Sequence, residues 1–131
     1  MGLIYVDSSL VIYLAEDRAR QERIARVMQE EADVIFALSP LVKLECLVAP
    51  LKQGDLALER FYLDLFDRFV TLELTETVYL QGARLRAQFG LRAPDALHLA
   101  CALHHRCESL WTNDNRLERA SLGLARNVLK S

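Results

Sequence analysis

The sequence predicts one α/β domain, covering residues 1–131, in which helices cover both faces of a mostly parallel β-sheet. Short apolar runs alternate with longer amphipathic stretches along the whole chain, which is typical of βαβ crossovers. Hydrophobic residues make up 52% of the 131 residues, which is enough for the core of one domain, while the length is too short for two. The small numbers of glycines (5) and prolines (3) favour regular elements with short connections.

The predicted strands are the short apolar runs, and the predicted helices are the stretches between them. Strands are expected at 3–6, 34–38, 69–74, 109–112 and 124–129. Helices are expected at 8–16, 18–31, 40–49, 55–68, 76–89, 94–106 and 115–120. Capping residues support three of the boundaries: Pro40 and Pro94 at helix starts, and Gly90 after a helix end.

Charge and apolar patterning exclude several classes of protein. Sixteen basic and eighteen acidic residues give a net charge of −2, without the basicity of a non-specific nucleic-acid coat protein. No stretch is long and apolar enough to cross a bilayer, and the first residues lack the basic start of a signal peptide. We therefore expect a cytoplasmic protein with no membrane partner. The cysteines have no metal-ligand spacing and are predicted to be small core residues: Cys46, Cys101 and Cys107.

Two aspartates are expected at the carboxyl edge of the sheet, where open parallel sheets bind ligands. Asp7 directly follows the first predicted strand, and Asp114 follows the fourth. Each has a structural explanation that is the stronger one for that residue alone: Asp7 suits the N-cap of the following helix, and Asp114 suits a polar turn. Ser8 could cap the helix instead, which would leave Asp7 free. Together, however, the two residues place carboxylates at the same edge.

Glu45 is predicted to face the core. The apolar stripe of the helix that begins at residue 40 is predicted to consist of Leu41, Leu44, Val48 and Leu51. Glu45 follows Leu41 by four residues and precedes Val48 by three, so it lies on this stripe. A buried carboxylate is costly and needs a cation, a metal ion or a cleft. A salt bridge, or a side chain at the stripe edge that reaches water, explains Glu45 equally well.

Asp95 lies in the first turn of the predicted helix 94–106, where the helix dipole favours a carboxylate. It also shares a face with Leu99 and Ala102, and it is therefore predicted to point inward. With Asp7, Glu45 and Asp114, it makes four acids from separate elements that could form one site. Carboxylate oxygens are ligands that Mg²⁺ prefers, and a bound cation would offset their repulsion and activate a water.

Four segments, in this order and at this spacing, resemble the PIN-domain ribonucleases, and among them the VapC toxins of bacterial and archaeal toxin–antitoxin pairs. The segments are Val6-Asp7-Ser8-Ser9, Ser39-Pro40-Leu41-Val42-Lys43-Leu44-Glu45, Ala93-Pro94-Asp95-Ala96-Leu97-His98-Leu99-Ala100 and Leu110-Trp111-Thr112-Asn113-Asp114. Each is weak alone, but the resemblance spans nearly the whole chain.

The resemblance implies a five-stranded parallel sheet in the order 3-2-1-4-5 and a metal-dependent endoribonuclease. The four acids of the family, which are its catalytic and metal-binding residues, fall on Asp7, Glu45, Asp95 and Asp114. Positions that support the site by hydrogen bonds fall on Ser8, Thr112 and Asn113. The implied cofactor is Mg²⁺, for which Mn²⁺ could substitute, and Glu45 would be a further ligand or would orient the attacking water.

The resemblance also implies the partners: transfer or ribosomal RNA as substrate, a cognate antitoxin protein, and a second copy of the chain in a homodimer. The predicted helix 55–68 is apolar on more than one face, which indicates burial on two sides or a partner surface. Three basic residues near the acids are candidates for phosphate contacts: Lys43, Arg92 and Arg116. Each could equally be an ordinary surface charge. His98 is one turn from Asp95, and packing explains it better than zinc binding.

Other functions stay open on the sequence. A phosphotransferase or phosphatase of the haloacid-dehalogenase type would use Asp7 as nucleophile, but it needs a second aspartate where Ser9 stands. A non-catalytic partner-binding module would explain the acids as caps and turns. A PIN-type nuclease of RNA processing, without an antitoxin, would need the same residues.

Overall fold

The computed structural model describes residues 2–129; residues 1, 130 and 131 of the predicted domain lie outside them. Five parallel strands form one sheet in the order β3-β2-β1-β4-β5, which confirms the predicted class and strand order. The strands are β1 (Gly2–Val6), β2 (Val34–Leu38), β3 (Val70–Thr71), β4 (Ser109–Thr112) and β5 (Ala125–Asn127). The helices are α1 (Ser8–Glu16), α2 (Arg18–Glu30), α3 (Pro40–Gln53), α4 (Leu56–Phe66), α5 (Glu76–Phe89), α6 (Ala93–His104) and α7 (Asn115–Ala120).

The sheet order places β1 at the centre, between β2 and β4. Tyr5 and Val6 of this strand are fully buried, as are Leu110 of β4 and Leu38 of β2. The chain builds outward from β1 to β3 on one side and then starts again with β4 on the other. The strand order therefore reverses between β1 and β4, and ligands of open α/β sheets bind beyond the carboxyl ends of the strands at such a point.

Several element boundaries differ from the prediction by one to four residues. The two edge strands are shorter than predicted, because β3 and β5 each pair with one neighbour over only two and three residues. Helix α3 does not end at Ala49 but continues to Gln53, since the buried Pro50 is accommodated within it and Gly54, at φ 68°, makes the stop. Helix α6 ends at His104, because Arg106 has a left-handed φ of 58° that no helix continues.

Two expectations from composition also have outcomes in the structure. The three cysteines are buried with free thiols, as predicted. Within residues 2–129, none of the helices combines the length and the apolar character needed to span a bilayer.

Candidate active site

A cleft of about 600 Å³ lies where Asp7 leaves β1 and Asp114 follows β4. All four predicted acids line it: Asp7, Glu45, Asp95 and Asp114. The fold thus brings together side chains from the ends of two strands, the second turn of α3 and the first turn of α6. Other polar residues that line the cleft include Ser8, Ser9, Arg92, His98, Asn113 and Arg116.

Asp7 is held through both carboxylate oxygens. Its Oδ1 accepts hydrogen bonds from Ser9 Oγ at 2.7 Å and from the backbone N–H of Leu10 at 3.4 Å, which makes Asp7 the N-cap of α1. Its Oδ2 accepts a hydrogen bond from Thr112 Oγ1 at 2.5 Å. The alternative in which Ser8 caps the helix is therefore wrong. Asp7 caps the helix and lines the cleft at the same time.

The charge of Asp7 is costly where it stands. The residue is 7% exposed, and burial raises the pKa of its carboxyl group. Hydrogen bonds from Thr112 and Ser9 and the charge of His98 act in the opposite direction without cancelling the effect of burial on this pKa. A cation in the cleft would offset the remaining cost, so the electrostatics of Asp7 favour a cationic ligand.

Glu45 reaches the cleft, but not from the stripe that the sequence predicted. The residues of that stripe that the structure leaves exposed are Leu44, Val48 and Leu51. The buried residues of α3 are instead Val42, Cys46 and Pro50. The stripe was wrong because α3 carries apolar side chains on two faces, and periodicity does not tell which face packs inward. Glu45 lies beside the truly buried face and is half-buried.

His98 holds Glu45 in place. Its Nε2–H donates a hydrogen bond to Glu45 Oε1 at 2.7 Å, and its Nδ1 is 2.6 Å from the Tyr5 hydroxyl. That hydroxyl is in turn 2.8 Å from Ser39 Oγ. His98 is 3% exposed, so the imidazole is a packed residue, as predicted, yet its polar contact is Glu45 and not Asp95. No pattern in the sequence predicts these contacts, because the residues that make them are far apart along the polypeptide.

The environment of Glu45 differs from that of Asp7. Burial acts to raise the pKa of Glu45, but the hydrogen bond and the charge of His98 outweigh it, and Ser8 and Arg92 add to them. The pKa of Glu45 therefore lies below its ordinary value. The surroundings of Glu45 therefore favour its charged form, whereas burial disfavours the charged form of Asp7.

Asp95 and Asp114 complete the acidic lining. Asp95 Oδ2 lies 3.3 Å from Arg92 Nε, and its side chain is partly buried, as predicted. Asp114 is the N-cap of α7 and not merely a turn residue, since its Oδ1 accepts hydrogen bonds from the backbone N–H groups of residues 116 and 117 at 2.8 and 3.4 Å. The backbone N–H of Asp114 donates to Thr112 Oγ1 at 3.0 Å. The Thr112 hydroxyl therefore joins Asp7 to Asp114.

Five of the other predicted site residues lie at the cleft, and one does not. Ser8 and Thr112 contact acids of the cleft, and Arg92 and Arg116 line it. Asn113 also lines the cleft, but its amide donates to the Tyr13 hydroxyl at 3.1 Å. Lys43 does not line the cleft in the described part of the chain, and its Nζ lies 6.0 Å from the centre of the Phe66 ring.

The donor set of the cleft fits a hard divalent cation. Carboxylate oxygens are the ligands of Mg²⁺, and the buried charge of Asp7 favours a cation. Within residues 2–129, however, no group of three or more His, Cys, Asp or Glu side chains could by itself hold a metal ion. A Mg²⁺ ion in the cleft would therefore be held by one or two carboxylates, with waters completing its shell. The cleft therefore suits Mg²⁺ better than zinc, whose sites are built mostly from histidine and cysteine, because the acids of the cleft offer only carboxylate oxygens.

Removal of the Tyr5 hydroxyl tests whether the hydrogen bonds that connect Glu45, His98, Tyr5 and Ser39 stabilise the fold. In the wild type, no buried side-chain polar atom among the described residues lacks a hydrogen-bond partner. Tyr5→Phe removes the hydroxyl that His98 Nδ1 and Ser39 Oγ share as a partner in the core. We expect the free energy of unfolding in urea to fall by about 1–3 kcal/mol. Tyr79→Phe, at an exposed tyrosine of α5, is the control and should leave it unchanged. Equal stability of both variants would contradict this role of Tyr5.

Known proteins share this fold. The family model described as PIN domain matches residues 4–122. No curated protein sequence matches the chain.

Three solved structures illustrate the likeness. A toxin–antitoxin complex from Klebsiella pneumoniae contains a chain with 20% identity and a TM-score of 0.79, over 95% of this chain and 97% of that one. For VapBC-1 from nontypeable Haemophilus influenzae the identity is 18% and the TM-score 0.77, over 98% and 99% of the two chains. VapC20 from Mycobacterium tuberculosis is described as a Sarcin-Ricin loop cleaving toxin. Its identity to this chain is 15% and the TM-score is 0.73, over 89% of this chain and 94% of that one. At these identities the likeness shows a shared fold.

Proposed function

This chain belongs to the PIN-domain family, and from that premise we propose that it is a metal-dependent endoribonuclease, the toxin of a type II toxin–antitoxin pair. The observation that carries the proposal is the convergence of four acids, from four separate elements, on one cleft at the reversal of strand order. A partner-binding module would have no need to bury the carboxyl group of Asp7 in that cleft, where burial raises its pKa. The catalytic and metal-binding residues we propose are Asp7, Glu45, Asp95 and Asp114.

We assign different roles in hydrolysis to the residues of the cleft. Asp7 and Asp114, joined through Thr112, present carboxylate oxygens at the ends of β1 and β4. Glu45, kept ionised and oriented by His98, is placed to accept a hydrogen bond from the attacking water. Mg²⁺, or Mn²⁺ in its place, supplies when bound a lower pKa for that water and stabilisation of the charge that develops at the phosphate.

Two arginines at the cleft are suited to position the substrate. Arg92 and Arg116 line the cleft with exposed side chains, and a guanidinium group can donate two parallel hydrogen bonds to a phosphate. We assign to them the contacts with the oxygens of the RNA backbone. Lys43, which lies over Phe66, is not part of this assignment.

The partners we propose are an antitoxin protein and a second copy of the chain, in the cytoplasm. Support comes from apolar side chains that three helices leave exposed: Leu44, Val48, Leu51, Leu56, Phe61, Leu63, Tyr79 and Leu80. Monomeric soluble proteins rarely leave such surfaces uncovered. Helix α4 is indeed apolar on both faces, since Tyr62 and Phe66 are buried while Leu56 and Phe61 are exposed. The three similar structures are described as a toxin–antitoxin complex, a VapBC pair and a toxin that cleaves the Sarcin-Ricin loop, which favours a structured RNA as substrate.

Controlled expression in a bacterial host tests the toxin assignment. We expect the wild-type chain to arrest growth and to leave new RNA ends at a few defined positions in transfer or ribosomal RNA. Asp114→Asn is the matched control, because asparagine caps a helix as well as aspartate but removes one charge from the cleft. Cells that keep growing while the purified protein cuts RNA would instead support a nuclease of RNA processing without an antitoxin.

A further inference from the structure

A second depression adjoins the acidic cleft, and we call it the side pocket. It has a volume of about 290 Å³ and lies between the end of α5, the loop that follows, and α7. Residues that line only the side pocket include Phe89, Leu91 and Arg119. Residues that line both the side pocket and the cleft are Arg92, Asp95 and Arg116. The two depressions therefore lie next to each other, with these three residues between them.

The side pocket is basic, whereas the cleft is acidic. Three guanidinium groups, those of Arg92, Arg116 and Arg119, line it against the single carboxylate of Asp95. Asp95 lies 3.3 Å from Arg92, whose side chain is 70% exposed, so the carboxylate offsets part of one positive charge. The whole chain has a net charge of −2, which makes this concentration of positive charge local. When one phosphate of a polyanion lies in the cleft, the arginines of the side pocket can bind the next phosphate along the chain.

One wall of the side pocket is apolar and fixed. Phe89, the last residue of α5, is 38% exposed. Gly90 ends the helix at φ 69° and also lines the side pocket, and nothing lies within 4 Å of the position that a side chain at Gly90 would take. Arg86 Nε donates a hydrogen bond to the carbonyl of Leu91 at 3.0 Å, which ties the loop back to α5. The ring thus stands at the end of a helix, and the loop that follows is tied back to that helix.

We propose that the side pocket binds the nucleotide next to the scissile phosphate of a single-stranded RNA segment. The phosphate of that nucleotide lies against Arg116 and Arg119, and its base stacks on the ring of Phe89. Guanidinium groups bind phosphates through paired hydrogen bonds, and aromatic rings stack on any base, so the two features together suit a nucleotide. The inference rests on the proposed function, because it requires an RNA phosphodiester in the acidic cleft.

Equilibrium binding of a fluorescein-labelled single-stranded RNA of about ten nucleotides tests this proposal. Every protein carries Asp7→Asn so that the RNA is not cut, and anisotropy gives the affinity between about 50 and 200 mM salt. Arg119→Gln should weaken binding and reduce the slope of log K against log salt by about 0.7, the share of one phosphate contact on a single strand. Phe89→Leu should weaken binding about fivefold or more and leave that slope unchanged.

Arg26→Gln is the matched control, since Arg26 is an exposed arginine of α2 that lines neither depression. It should change neither the affinity nor the salt slope. If the wild-type protein cuts RNA while Arg119→Gln and Phe89→Leu bind it as Arg26→Gln does, the side-pocket proposal is overturned and the proposed function stands. A wild-type protein that neither binds nor cuts RNA overturns both. Melting temperatures of the variants show that these exposed substitutions leave the fold intact.

Discussion

Asp7→Asn is expected to abolish RNA cleavage and, in metal-free protein near neutral pH, to raise the melting temperature. Asparagine keeps the N-cap of α1 through its one carbonyl oxygen and removes the buried charge. Its amide group would donate to the Thr112 hydroxyl, which in the wild type donates to Asp7. Partners of metal ligands typically contribute ten- to a hundredfold to activity, so loss of a ligand itself should lower the cleavage rate by at least about a hundredfold. Active-site residues commonly lower the stability of the fold, so their replacement can raise it.

The stability part of this expectation follows from the direction of the pKa shift. The folded protein raises the pKa of Asp7 above its unfolded value, so the native state binds this proton more tightly. The stabilisation from protonated Asp7 is fully present below the unfolded pKa and is lost as the pH rises through the folded pKa. The charged residue therefore costs stability near neutral pH, and asparagine does not. The advantage of Asp7→Asn should shrink as the pH falls toward about 4.

Thermal unfolding in EDTA across this pH range measures the effect. Asp64→Asn, at an exposed aspartate of α4, is the matched control and should follow the wild-type protein at each pH. A melting temperature of Asp7→Asn that lies below that of the wild type near neutral pH would show that the carboxylate stabilises the fold. Asp7 would then be a structural cap and not a residue whose charge is kept for a cation.

Divalent metal is expected to stabilise the wild-type protein and to be required for cleavage. A ligand that binds only the native state at a hundred times its Kd adds about 2.7 kcal/mol to the free energy of unfolding. We therefore expect Mg²⁺ or Mn²⁺, added to EDTA-treated protein, to raise the melting temperature and to restore RNA cleavage together. The physical reason is that the cation relieves the unfavourable burial of the Asp7 carboxylate.

A cleft variant separates this effect from general salt effects. Asp114→Asn retains the helix cap of α7 and should fold normally, yet its melting temperature should respond much less to the metal. If the wild type and Asp114→Asn shift equally, the metal binds elsewhere. If neither shifts at millimolar metal, the acids of the cleft do not form a metal site.

The parts of the site that lie within one element, or directly after it, could be predicted from the sequence. Asp7 follows β1, Asp95 opens α6 and Asp114 follows β4, and the rule that parallel sheets bind ligands at their carboxyl edge brings them together. The resemblance to a known family supplied the strand order, which periodicity alone does not determine.

What the sequence did not reveal depends on contacts between distant residues. The imidazole of His98 meets Glu45, 53 positions away, and Tyr5, 93 positions away. No local pattern encodes such a pairing. The inward face of α3 was mistaken for a similar reason, since Leu44 and Val48 are as apolar as the residues that the fold buries. The role proposed for Arg119 could not be predicted from the sequence, because it depends on the position of Arg119 of α7 near Phe89 of α5.

Incubation of purified protein with total bacterial RNA tests the central claim, that the acidic cleft is a metal-dependent ribonuclease site, most directly. The wild-type protein with Mg²⁺ or Mn²⁺ is compared with the same protein in EDTA and with Asp7→Asn. We expect discrete RNA fragments from the wild type with metal and none in either control. A folded wild-type protein that binds no divalent metal and leaves all RNA intact would contradict the account. So would cleavage by Asp7→Asn at the wild-type rate.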